Sequence, residues 1–189
     1  IPESVTTIGG SAFSYCTNLK QITLSDSIET IGAGAFVYAG LTSVSIPSSV
    51  TSIGNSAFSH SELAKVVFEN GAGANKIAIG EYAFSDCTKL TTATLSDSIK
   101  NIGKYAFSGC TALSSITIPS SVEEIGGNAF NRCSALETFT LLGTPRIGNN
   151  IFSGTNTVET INHGIKKAAW EEFRWGSGNI GNSNEIIKN

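Results

Sequence analysis

An Ile-Gly pair recurs along this chain at near-regular intervals and constrains its fold more than any other feature. Successive pairs lie 22 to 26 residues apart, and a Phe stands five residues after each Ile, so seven of the ten Phe residues occupy one repeat position. A unit of this length cannot bury its own apolar face, whereas stacked copies can, so the pattern predicts a repeat solenoid. The marker residues are Ile8, Ile31, Ile53, Ile79, Ile102, Ile125 and Ile147, followed by Phe13, Phe36, Phe58, Phe84, Phe107, Phe130 and Phe152.

Each copy divides into segments of different character. An aliphatic triplet spaced L-x-x-I-x-L follows the Phe, as in Leu113, Ile116 and Ile118, and its alternation of apolar and polar residues predicts a short half-buried strand. A turn such as PSS at 119–121 comes next. The V-x-x-I-G segment then predicts a second short extended segment, in which Gly allows a corner that a Cβ would obstruct. The A-F-x-x-C segment predicts one helical turn with Phe as the core wedge.

The copy at 102–122, IGKYAFSGCTALSSITIPSSV, resembles the leucine-rich repeats of BspA-like surface proteins at every landmark. The resemblance covers residues 1–163. It implies a leucine-rich-repeat solenoid, a right-handed stack of about seven repeats with parallel β strands and short helical turns. Members of that family are typically secreted or surface-attached, and several are associated with adhesion. The resemblance therefore implies an extracellular or cell-surface location and a non-enzymatic binding module.

The two ends of the pattern differ from its middle. Residues 164–189 predict a C-terminal cap, because Ile165, Ala169 and Phe173 follow helical spacing and a solenoid needs a terminal cover. An aromatic binding patch around Trp170 and Trp175 is the alternative. At the other end, a predicted strand at 20–24 would be an exposed edge, so we expect further repeats upstream.

The third repeat carries four extra residues between Phe68 and Ile79. We interpret the segment 69–78 as a tolerated surface insertion. A ligand-contacting loop is the alternative, because loops on rigid scaffolds often carry function.

Charge and hydropathy narrow the classes of partner. The net charge is −3 and no basic run is present, which disfavours nucleic acid and anionic membranes as partners. No apolar stretch approaches the roughly 18 residues of a transmembrane helix, so no membrane insertion is expected in this segment. We expect a monomer.

The sequence predicts no catalytic residue, no metal site and no cofactor. Zinc ligands converge at short spacing, unlike cysteines that recur once per repeat. Neither His60 nor His163 belongs to a recognisable nucleophile motif, and the turn aspartates Asp26, Asp86 and Asp97 are explained by turn formation. Four cysteines stand three residues after a repeat Phe, and we predict buried, unpaired thiols, since stacked side chains run parallel and suit a disulfide poorly. They are Cys16, Cys87, Cys110 and Cys133.

The remaining surface is the outward face of the triplet strands, which we predict binds a protein or glycan on host or neighbouring cells; a soluble, β-favouring outer face without a ligand is the other interpretation. The face is nearly uncharged and rich in hydroxyls, and it lacks the aromatic and Arg anchors of tight interfaces. The alternative is a structural stalk or spacer that presents another domain of a longer surface protein. A threonine ladder like that of flat ice-binding solenoids is interrupted by Gln21, Lys65 and Val67. The candidate binding residues are Gln21, Ser43, Lys65, Thr92, Ser115 and Thr138 in one row and Thr23, Ser45, Thr94, Thr117 and Thr140 in the other.

Overall fold

The chain is a stack of parallel β layers. A computed structural model describes residues 1–71, 76–155, 157–158, 160–163 and 187–188. Every strand pair in this part of the chain is parallel. The strands are β1 (Thr7–Ile8), β2 (Thr30–Ile31), β3 (Ser43–Ile46), β4 (Ser52–Ile53), β5 (Lys65–Phe68), β6 (Ile77–Ile79), β7 (Thr92–Thr94), β8 (Ile99–Ile102), β9 (Ser115–Ile118), β10 (Glu124–Ile125), β11 (Thr138–Leu141), β12 (Arg146–Ile147), β13 (Thr160–His163) and β14 (Ile187–Lys188).

The V-x-x-I-G segments form the longest sheet, which confirms the predicted second extended segment. Its order is β1-β2-β4-β6-β8-β10-β12, and the marker isoleucines pair with one another in register. A Cβ built on Gly103 would lie 2.6 Å from the carbonyl carbon of Gly80 in the preceding layer. Gly therefore follows the Ile because adjacent backbones approach too closely for a side chain.

The triplet strands form a second ladder that is interrupted once. One sheet has the order β3-β5-β7 and the other β14-β13-β11-β9, and no pairing joins β7 to β9. We call this interruption the seam. The prediction of a strand at 20–24 is wrong. There the Lys20 carbonyl accepts a bond from the Thr42 N–H, and the Thr23 carbonyl accepts one from the terminal ammonium of Ile1.

The core is built from stacked copies of the same side chains. Neighbouring phenylalanine rings from Phe36 to Phe130 lie 5.0 to 5.6 Å apart with nearly parallel planes, and all of these rings are fully buried. Phe13 at the first layer is only partly buried. Stacking thus supplies the burial that one repeat lacks, as the repeat pattern predicts.

The segment around each Phe is not a helical turn, so that part of the prediction is wrong; residues 1–71 and 76–155 contain no helix. In the fifth repeat the N–H groups of Tyr105, Phe107 and Gly109 donate to carbonyls of the next repeat, at 2.8 to 3.1 Å. The intervening N–H groups close turns within the repeat, as Ala106 does to Gly103 at 3.3 Å. Because alternate N–H groups point to the next layer, they are unavailable for the i to i+4 bonds of a helix.

The predicted cap at 164–189 lies outside the described residues except for β14. This strand pairs in parallel with β13, with Ile187 opposite Ile161. The sites at Trp170 and Trp175 and residues 72–75 of the insertion likewise fall outside them.

Candidate binding surfaces

The strand face presents the predicted rows of side chains in register. Ser43 pairs with Lys65 and Lys65 with Thr92 in one sheet, and Ser115 pairs with Thr138 in the other. Most of these side chains are exposed, while the residues between them are buried. The outward rows therefore have the geometry that the alternation predicts. Gln21 and Thr23 are also exposed, although no strand forms there.

The seam opens a shallow groove in this face. The groove is lined by residues 91–95 on one side and 115–117 on the other, including the hydroxyl groups of Thr92, Thr94, Ser115 and Thr117. Because β7 and β9 are not paired, backbone polar groups border the groove together with these side chains. It is a local concavity on an otherwise regular surface.

The turn segments that hold the repeat Phe form the turn face, and two positions on it have left-handed backbone. They are the third and seventh residues after the marker Ile, which we call the third column and the seventh column. In the part of the chain that the structure describes, every residue with a positive φ belongs to one of them. The third column is Ser11, Gly34, Ser56, Tyr82, Tyr105, Asn128 and Asn150; the seventh is Tyr15, Tyr38, His60, Asp86, Gly109, Arg132 and Gly154.

Aromatic rings stack along both columns on the surface. In the seventh column Tyr15 stacks on Tyr38 at 4.9 Å, and Tyr38 on His60 at 4.5 Å with planes 3° apart. In the third column Tyr82 stacks on Tyr105 at 4.8 Å, also 3° apart. Tyr15, Tyr38 and Tyr82 are 67%, 40% and 41% exposed, so these stacks are outside the core.

A groove runs between the two columns, and its floor is polar; we call it the turn-face groove. The floor residues Ser59, Ser85 and Ser108 are buried and lie six residues after each marker Ile. The Ser59 hydroxyl donates to the Ser85 carbonyl at 3.0 Å, and the Ser85 hydroxyl donates to the Asp86 carboxylate at 3.0 Å. The Asp86 carboxylate also lies 3.6 Å from His60 Nε2. These bonds fix the polar groups before any ligand arrives.

The cysteines have a structural role. Cys87, Cys110 and Cys133 are buried and unpaired, as predicted, whereas Cys16 is only partly buried. Each buried thiol donates to the carbonyl of the preceding repeat's Phe at 3.1 to 3.2 Å, and the Thr155 hydroxyl does the same at 2.6 Å. Burial raises the pKa of Cys87 from 9.0 to about 11 and that of Cys133 to about 12, and it holds the pKa of Cys110 well above 9.0. Thiolates, the reactive form, are therefore disfavoured at these positions.

Within the described ranges, no group of three or more His, Cys, Asp or Glu side chains is arranged to hold a metal ion. The same residues include no helix with the length and hydropathy needed to cross a bilayer.

The alternation of apolar and polar residues along the strands predicts the strand-face rows. It does not predict the surface aromatic stacks. The sequence signal for these stacks is an aromatic residue that recurs at the same offset from the marker Ile in neighbouring repeats. Tyr15, Tyr38 and His60 share one offset from the marker Ile, and Tyr82 and Tyr105 share another. An alignment of the repeats on that Ile would have shown both stacks.

The family model for the BspA type leucine-rich repeat region matches residues 1–77 and 73–172 in 6 copies. No curated protein matches the chain. The fold class and the resemblance predicted from the repeat are thus confirmed, apart from the helical turns.

Solved structures of leucine-rich repeat proteins superpose on the chain. One from Bacteroides ovatus is 26% identical with a TM-score of 0.68, and the match covers 99% of this chain and 53% of that protein. One from Eubacterium ventriosum is 27% identical with a TM-score of 0.68, covering 98% and 46%. The leucine-rich repeat protein of T. pallidum is 25% identical with a TM-score of 0.61, covering 76% and 68%. The chain therefore spans about half the length of the first two proteins.

Proposed function

The chain belongs to the BspA-type leucine-rich repeat family, and from this membership and its strand face we propose that it is a surface recognition or adhesion module. Its place of action is the cell surface or the extracellular medium. Its ligand is a protein or glycan on a host or neighbouring cell. The family and its fold are typically non-enzymatic, which agrees with a binding role.

The observation that carries this proposal is the groove at the seam. Thr92 and Thr94 face Ser115 and Thr117 across it, so hydroxyl groups and unpaired strand backbone line one concave site. Rigid parallel layers hold these groups in place, which lowers the entropy cost of binding. The flanking rows extend the same polar surface: Gln21, Ser43, Lys65 and Thr138 on one line, with Thr23, Ser45 and Thr140 on the other.

The test is an array of extracellular matrix proteins and cell-surface glycans, probed with the chain and with a triple variant. Lys65→Glu, Thr92→Glu and Ser115→Glu place negative charge along the strand face, and we expect them to lower the affinity of at least one array ligand by at least about tenfold. The matched control is Lys104→Glu, Thr88→Glu and Ser134→Glu, which makes the same charge change at exposed positions elsewhere. Circular dichroism checks that both variants fold.

An equal loss in both triple variants would point to non-specific charge effects. Unchanged binding in the strand-face variant would contradict the proposal and favour a stalk or spacer, whose surface makes no contact with the ligand.

A further inference from the structure

We propose that the turn-face groove is a binding site for a neutral oligosaccharide, independent of the strand face. Both surface aromatic stacks end in this groove. The seventh-column stack ends at His60 in the third repeat, and the third-column stack begins at Tyr82 in the fourth. The ring at the end of a stack has one face that no other ring covers.

The aromatic platform of the proposed site is the uncovered face of Tyr82. Tyr105 covers one side of its ring at 4.8 Å, and the other side is directed toward the third repeat, where the third column holds Ser56. Ser56 and Tyr82 both line the groove, and the short serine leaves the space that another ring would fill. We call this space the slot; the ring of Tyr82 closes one end, and Gly34, the next third-column residue beyond Ser56, leaves the other end open. The corresponding face of His60 is turned toward Asp86, whose carboxylate lies 3.6 Å from Nε2.

Polar groups line the turn-face groove at fixed positions on both sides of Tyr82. The Asp86 carboxylate accepts a bond from Ser85 at 3.0 Å, and Asn131 donates to the Ser153 carbonyl at 2.8 Å while it accepts from Ser108 at 3.2 Å. A ligand pocket typically combines apolar or aromatic contact with a few fixed polar groups. An aromatic face with a carboxylate and serine hydroxyls in the same groove matches a pyranose ring, which has an apolar C–H face and hydroxyls at its edge.

Charge favours a neutral sugar over an anionic one. The groove contains one carboxylate, Asp86, and one guanidinium, Arg132, together with His60, and it contains no cluster of basic side chains. A polyanion would meet Asp86 without the Arg pairs that usually bind sulfate, phosphate or carboxylate groups. The strand face, by contrast, offers no aromatic platform among its candidate residues.

The probes are neutral oligosaccharides with different linkages: cello-, laminari-, malto- and chito-oligosaccharides, each titrated into the 189-residue chain and followed by amide chemical shifts. We expect at least one to bind and to shift amides of the third and fourth repeats around Ser56 and Tyr82. Tyr82→Ala removes the platform and should weaken this binding by about tenfold, whereas Tyr82→Phe keeps the ring and should leave affinity nearly unchanged.

A second variant fills the slot and leaves the ring of Tyr82 in place. Ser56→Tyr would extend the third-column stack, and this column accepts tyrosine with the same backbone, since φ is 56° at Ser56, 57° at Tyr82 and 56° at Tyr105. We expect it to fold and to weaken binding by at least about tenfold, because the new ring covers Tyr82 and its own uncovered face lies one layer farther from Asp86. The matched control is Ser11→Tyr, which makes the same change in the same column outside the groove, and it should bind like the unchanged chain.

Four outcomes overturn the inference. Either no oligosaccharide binds, or a bound oligosaccharide is unaffected by a folded Ser56→Tyr variant. The other two are that Ser11→Tyr weakens binding equally, or that the shifted amides belong to the strand face around Thr92 and Ser115. The last outcome would instead support the strand-face proposal. Loss of array binding in the strand-face triple variant with oligosaccharide binding intact would show that the two sites are separate.

Discussion

Cysteine occupies a position in this fold where the preceding repeat supplies a hydrogen-bond acceptor. Cys87, Cys110 and Cys133 each donate to a Phe carbonyl, and Thr155 and Ser61 stand at the same repeat position. A small side chain fits this site, as Ala39 also shows, and Cys or Thr there adds a bond to the preceding Phe carbonyl. The recurrence of small side chains at this repeat position therefore has a structural cause.

The buried thiols make stability depend on alkaline pH. Their pKa values are raised to about 11 for Cys87 and about 12 for Cys133, so unfolded thiols lose protons near 9.0 while folded ones do not. The free energy of unfolding should therefore fall as pH rises from about 9 toward 11, because the unfolded state releases more protons. Urea midpoints at about pH 8 and about pH 10 measure the effect. The variant with Cys87→Ala, Cys110→Ala and Cys133→Ala should lose less between these pH values, and an equal loss would contradict the thiol origin.

The glycine after the marker Ile is required by the neighbouring layer. A Cβ on Gly103 would lie 2.6 Å from backbone of Gly80, whereas a Cβ on Gly9 in the first repeat would meet nothing within 4 Å. We expect Gly103→Ala to lower the free energy of unfolding by about 1–3 kcal/mol, because the backbones must separate. Gly9→Ala is the control at the same repeat position and should be neutral or slightly stabilising. Chemical denaturation measures both, and equal costs would refute the explanation.

At the scale of the element, the turn segment shows where sequence reasoning failed. The spacing of Ala, Phe and Cys predicts one helical turn, but the third and seventh columns have left-handed backbone. Only three of their residues, Gly34, Gly109 and Gly154, are glycines, so composition carries almost no signal of the conformation. The strands were predictable because burial alternates along them, while the turns depend on backbone bonds between layers, which no single repeat reveals.

Left-handed backbone at non-glycine residues costs free energy that a substitution can recover. Arg132 has φ of 55° and is exposed. We expect Arg132→Gly to be more stable than Arg132→Ala by about 1 kcal/mol, because glycine adopts this conformation without a Cβ penalty. Urea midpoints of the two variants give the difference.

Lys104 supplies the reference, since it is exposed but has no positive φ. There Lys104→Gly should be the less stable of the glycine and alanine variants. The same order at both positions would show that the left-handed backbone is not the cause.

At the scale of the whole molecule, three ladders join the layers, and among the described residues one of them is interrupted. The sheet of marker isoleucines continues past the seam, since β6 pairs with β8, and the turn bonds continue as well, since the Phe84 N–H donates to the Ala106 carbonyl at 2.8 Å. The seam between β7 and β9 is therefore a local opening in one face of a continuous stack. The repeat period predicts the stack but not the seam, because the strand sequences on either side, TAT and SIT, look alike.

Amide hydrogen exchange should report the seam directly. The Thr92 and Thr138 N–H groups donate to the preceding layer, each at 3.2 Å, whereas the equivalent Ser115 faces the unpaired seam. We expect the Ser115 amide to exchange faster than those of Thr92 and Thr138, while the Phe84 amide, which bonds across the same two repeats, stays protected. Equal protection of Ser115 and Thr138 would mean that the sheet is continuous in solution, and fast exchange at Phe84 would mean that the whole interface opens.

The backbone bonds of the turn face have a consequence for how such a surface diversifies. In each of the first six repeats, three N–H groups reach the next layer whatever side chains the third and seventh columns hold, and these columns hold Ser, Tyr, His, Asp, Asn, Arg and Gly. The backbone bonds of the turn face therefore depend little on which side chains the two columns hold. Point substitutions in a single repeat can therefore change the chemistry of this face while the backbone bonds between the layers stay in place.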